Sequence, residues 1–123
     1  MTCSQFRDLY PEMTTLPRET SPLDVKFAGH MHTCEACGEW YMKQEARRCG
    51  VDPSKHPCVH IAYAIRREPG AKGDVHDDPD VALIYHIRSK RYGIPVRDGG
   101  SSYIHITHCP WCGKKLVPKR RAV

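Results

Sequence analysis

Apolar and polar positions alternate along three short stretches near the C-terminal end, 81–87, 92–97 and 102–108, which predicts three strands. Asp98-Gly99-Gly100 lies between the last two and predicts a hairpin turn, because its glycines accept a positive φ. Upstream the period changes. Cys58, Ile61, Ala62 and Ile65 fall at i, i+3, i+4 and i+7, one buried face of a helix that starts near Pro57. Arg66 and Arg67 suit its C-terminal end, and Glu68-Pro69-Gly70 stops it. A further helix is predicted over 39–49, with Gly50 as its cap. Residues 25–32 alternate weakly and predict another strand. Pro11, Pro17 and Pro22 make residues 1–24 an irregular arm, with room for a short helix from Ser4 to Tyr10. The expected fold is α+β: a three-stranded antiparallel meander with one or two helices. The expected division is an arm at 1–24, a metal-binding domain at 25–117 and a tail at 118–123.

Two stretches interrupt this pattern with chemistry. Cys109-Pro110-Trp111-Cys112-Gly113 follows the last predicted strand, and Cys34-Glu35-Ala36-Cys37-Gly38 follows the weak one. Two cysteines separated by two residues can turn both sulfurs onto one ion, and a glycine after the second lets the backbone close the turn. Each is a zinc knuckle, and each supplies half of a four-ligand site. The echo extends further, since His30 and His105 each lie four residues before the first cysteine.

The chain has 123 residues, seven Cys, eight His and only two Phe and two Trp. So small a supply of large apolar residues calls for a staple. No apolar run follows Met1 and none reaches membrane-spanning length, so the expected setting is the cytoplasm, where paired cysteines bind metal more often than they form disulfides. The net charge is +5, and Lys114, Lys115, Lys119, Arg120 and Arg121 account for all of it. The body is balanced and only the end is basic.

Two ligand layouts fit the spacing. In the first, Cys34, Cys37, Cys109 and Cys112 share one Zn2+ across the 71 residues between the pairs, and Cys58 is core. In the second there are two ions. Cys109 and Cys112 join Cys58 and a histidine, with His60, His76 and His56 available, while Cys34 and Cys37 draw on Cys49 or His56. Cys58 opens a helix, where a thiolate is favoured. Cys3 and Cys49 read as free thiols. A closed cysteine-rich site has no open position, so it is structural.

Tyr92-Gly93-Ile94, Asp98-Gly99-Gly100-Ser101-Ser102-Tyr103-Ile104, the Cys-Pro-Trp-Cys-Gly stretch and Leu116 resemble a family of short uncharacterised bacterial and phage proteins over residues 56–117. The resemblance implies metal binding and no established activity. It also implies a cysteine pair near His56-Pro57-Cys58 and a histidine-rich acidic stretch near His76-Asp77-Asp78, which favours Cys58 as a ligand. This chain lacks a cysteine in the loop before Val81, and its N-terminal Cys34 and Cys37 are additional to the pattern.

Three functions follow as expectations. The first is a zinc-stabilised module, a phage or mobile-element accessory protein that docks on a host protein and is not an enzyme. The second is nucleic-acid binding through Lys114, Lys115, Lys119, Arg120 and Arg121, with Trp111 and Tyr103 near enough to stack on bases. The third is a metal-dependent hydrolase using His56, His60 and His76, with Asp77 or Asp78 as base.

Overall fold

The computed structural model describes residues 1–13 and 21–116. Among the described residues it is a small α+β protein with four α-helices and a three-stranded antiparallel sheet. The helices are α1 (Cys3–Met13), α2 (Pro22–Thr33), α3 (Glu35–Arg48) and α4 (Val59–Ala64). The strands are β1 (Ile84–His86), β2 (Arg91–Pro95) and β3 (Tyr103–Ile106), in that order across the sheet. The chain divides into two compact units, residues 1–44 and 45–123. Among the described residues no helix is long and apolar enough to cross a membrane.

The N-terminal unit is helical, which corrects two sequence expectations. Residues 3–13 are one helix, not an irregular arm, and Pro11 is tolerated in its last turns. Phe6, Leu9, Tyr10 and Met13 lie at i, i+3, i+4 and i+7, and all four belong to one apolar cluster. The weak alternation over 25–32 belongs to α2, not to a strand. The start signal lies just upstream. Ser21 caps the helix, its hydroxyl accepting from Asp24 N–H at 3.3 Å, while the Asp24 carboxylate accepts from Ser21 N–H at 2.7 Å. Pro22 takes the first helical position, where its missing N–H costs nothing. Phe27 of α2 stacks on Phe6 at 4.2 Å between ring centres, and Trp40 meets Phe6 edge-on.

In the C-terminal unit, Ile61 and Ala64 of α4 pack with Leu83, Tyr92, Cys109 and Leu116. The expected strands are present but shorter. The Asp98-Gly99-Gly100 turn forms with Gly99 at φ 85°, and the Asp98 carboxylate accepts from Gly100 N–H at 3.0 Å. The acidic 70–80 loop is anchored by arginines. Arg67 pairs with Asp78 at 2.9 Å, and Arg97 donates to the carbonyls of His76 and Val81.

On one face of the sheet the rings of the two edge strands meet over its middle. Gly93 on β2 pairs with Ile84 and His105, and a Cβ there would stand 2.1 Å from Tyr103 Cδ2. The missing side chain lets the Tyr103 ring cross β2 and pack on His86 at 4.4 Å between ring centres. Gly93→Ala must expel that ring. We expect it to destabilise the fold by about 1–3 kcal/mol. In a thermal-melt double-mutant cycle with Tyr103→Ala, much of the loss should vanish when the ring is already gone.

Candidate metal centres

The sequence at 30–37 is His-x-x-x-Cys-x-x-Cys, and the end of α2 turns that spacing into a site. His30 lies in the last turn of α2, and Cys34 is the C-cap of that helix, where the backbone has already turned extended at φ −104° and ψ 104°. The helical ladder runs on to the cysteine, with Cys34 N–H donating to His30 O at 2.8 Å. Cys37 follows in the first turn of α3 and Cys3 opens α1. Ligand atoms of Cys3, His30, Cys34 and Cys37 all lie within 4.8 Å of one another. Cys3 Sγ is 3.9 Å from Cys34 Sγ, and His30 Nε2 is 3.3 Å from Cys37 Sγ. Ligands about 2.3 Å from a tetrahedral ion stand about 3.8 Å apart, so these are the edges of such a tetrahedron, and far too long for a disulfide.

The second group is Cys58, His60, Cys109 and Cys112, again with ligand atoms within 4.8 Å of one another. Cys58 caps α4 and His60 stands in its first turn. Cys109 and Cys112 come from a tight hairpin after β3. Cys109 N–H donates to Lys114 O, Gly113 N–H to Cys109 O and Leu116 N–H to Thr107 O, each at 2.8 Å. Trp111 N–H points at Cys109 Sγ at 3.4 Å. His60 Nδ1 is buried without a hydrogen-bond partner, and an ion is a natural acceptor of a buried imidazole lone pair.

The electrostatics of both groups call for a cation. Burial, and then the neighbouring thiols, push the Cys37 thiol up to about 11. Burial does the same to Cys58, which also rises to about 11. Backbone N–H groups act in the opposite direction on Cys34 and Cys112. The N–H of Cys37 lowers Cys34, and that of Lys114 lowers Cys112. A bound divalent ion reverses the cost of gathering thiolates, because it is then the largest charge in the site. Soft sulfur and imidazole donors gathered within 4.8 Å of one another therefore fit a metal ion in both places.

The two glycines that follow the pairs have different work. Gly113 stands at φ 74° and closes its hairpin as expected. Gly38 is helical, and a Cβ there would lie 2.8 Å from the Met31 carbonyl oxygen, so it permits α2 and α3 to approach closely. The histidine echo breaks for the same reason. His105 is exposed on β3, where four residues span about 13 Å and cannot share a site with Cys109. His60 stands beside Cys109 instead.

Each cysteine pair thus finds its remaining donors within its own unit, not in one centre shared by both pairs. Cys3 and His30 partner Cys34 and Cys37, in place of the Cys49 or His56 that the sequence suggests. Cys49 lies outside both groups. So does His76, whose Nδ1 bonds Asp74 at 2.8 Å, and so does His56, whose Nδ1 bonds the Tyr92 hydroxyl at 2.7 Å. Lys114 and Lys115 are exposed beside the second centre, while Lys119, Arg120 and Arg121 lie outside the described residues.

Residues 55–123, more than half of the chain, match the family described as "Domain of unknown function (DUF6980)". That span includes the whole second centre and excludes the first. No curated protein and no solved structure matches.

The geometry separates two histidines that look alike in the sequence. His60→Ala should weaken metal binding at the second centre more than about tenfold in a chelator competition, since it removes one of four donors. His105→Ala should leave that competition unchanged.

Proposed function

We propose, from the premise that the chain belongs to this family, that it is a binding module whose two units are each held together by one structural zinc ion. The single observation that carries this reading is the pair of closed donor sets, three sulfurs and one imidazole in each. Zinc suits such a set because it is four-coordinate, borderline-soft and indifferent to ligand-field geometry. With all four positions supplied by protein, no site remains for a metal-bound water, so the ions stabilise and do not catalyse.

The hydrolase reading has no support in the positions of its residues. His60 stands with the cysteines, His56 with Tyr92 and His76 with Asp74. Function then lies in the surfaces that the zinc centres keep in place. Docking on a host protein, as a phage or mobile-element accessory chain would do, is one use of such a surface. Trp111, 55% exposed on the second hairpin, and Ile104, 58% exposed on β3, would serve it. An anionic partner is the other use, favoured by the lysines beside the second centre.

The test is a metal count on protein purified under reducing conditions. We expect two zinc ions per chain, and one in each of the variants Cys37→Ser and Cys109→Ser. Stripping with a strong chelator should cost helix signal in circular dichroism and restore it when zinc is added back, because ligand binding in such centres is folding energy. A cooperative melt that chelation leaves unchanged would sink the reading.

A further inference from the structure

A cleft of about 540 Å³ opens beside the second centre, and four lysines line it: Lys55, Lys90, Lys114 and Lys115. They come from three separate parts of the chain, the 310 turn at Pro53–Lys55, the β1–β2 turn and the metal hairpin. His56 and Tyr92 form its floor, joined by their own hydrogen bond. Among the described residues no carboxylate lines it. Asp52, which precedes it, is turned to the Ser54 N–H and hydroxyl at 3.0 and 2.7 Å. Lys90 holds φ 54°, a left-handed conformation uncommon for a residue with a side chain.

Four like charges around one cleft repel one another, and the arrangement needs a counter-charge. Lys114 is tied to the second centre through its backbone, its carbonyl accepting from Cys109 N–H at 2.8 Å. Asp52 offsets part of the Lys55 charge, and the lining of the cleft itself stays positive.

We propose that this cleft binds the phosphate backbone of a single-stranded nucleic acid. The inference rests on the binding-module reading and names its partner class. Lysines are point charges that hold phosphates without reading bases. Their spread around so wide a cleft suits a run of phosphates better than one. Leu116 lines the same cleft, and the sequence that follows it adds Lys119, Arg120 and Arg121, so the basic character continues along the chain. The exposed Trp111 indole, on the same hairpin as Lys114, offers a face on which an unpaired base can stack.

The experiment is fluorescence anisotropy of the zinc-loaded full chain with labelled single-stranded oligonucleotides, repeated over a range of salt. The test protein carries Lys55→Gln, Lys90→Asn and Lys115→Gln. Asparagine tolerates the left-handed backbone at 90, and Lys114 is kept because it serves the metal centre. We expect at least tenfold weaker binding, and a plot of log affinity against log salt shallower by about 2, because three phosphates are no longer neutralised. Zinc content and melting should match the unsubstituted protein, which separates failure of this inference from failure of the zinc reading. Absence of saturable binding would overturn it, as would unchanged affinity and slope in the triple variant. So would a loss confined to a Lys119→Gln, Arg120→Gln, Arg121→Gln variant, which would assign the contact to the tail. Equal displacement by polyglutamate would identify an acidic protein as the partner, and full displacement by dilute inorganic phosphate would identify a small ligand; either result overturns the inference.

Discussion

Each unit depends on gathering three thiols and an imidazole at one point. The apolar cores are too small to be independent of that point. Cys37 is wholly buried inside the cluster of Phe6 and Phe27, and Cys109 is buried with Ile61, Leu83, Tyr92 and Leu116. Donor cluster and core are therefore one packing unit in each case. In a chain with two phenylalanines and two tryptophans, a bound ion would replace hydrophobic area that the sequence does not provide. Without it, burial and like neighbours disfavour the thiolate forms of Cys37 and Cys58. With it, the same crowding becomes ligand preorganisation.

The two centres reach the same donor set from opposite secondary structures. At the first, the last turn of α2 and its C-cap bring His30 and Cys34, α3 brings Cys37 and α1 brings Cys3. At the second, a hairpin closed by Gly113 presents Cys109 and Cys112, and α4 brings Cys58 and His60. The second lies within the residues that match the family, and the lysine-lined cleft lies beside it. An ion held there would fix the hairpin that carries Lys114, Lys115 and Trp111, and so would link a structural metal to the proposed binding surface.

Much of this is legible in the sequence. The meander, its Asp-Gly-Gly turn, the Cys58 helix face and the Cys109–Cys112 knuckle follow from period and spacing. The N-terminal unit is harder to read, because its prolines and weak alternation mask two stronger local signals. One is the Phe6, Leu9, Tyr10, Met13 face, which places Pro11 harmlessly near a helix end. The other is Ser21-Pro22-Leu23-Asp24, a capping box with proline at its first helical position. With those helices in hand, His30 stands in the last turn of α2, Cys34 caps that helix, and Cys3 opens a helix of its own. The tertiary approach of α1 to α2, which brings Cys3 to Cys34, has no local signature. The role of Gly93 is equally invisible, because it depends on a ring arriving from another strand.

The most direct test of the central claim is the X-ray absorption spectrum at the zinc edge of the purified, reduced protein. A four-coordinate shell averaging three sulfurs and one nitrogen is expected, with zinc–sulfur distances of about 2.3 Å. A shell dominated by oxygen and nitrogen, or one sulfur-only centre joining both cysteine pairs, would contradict it.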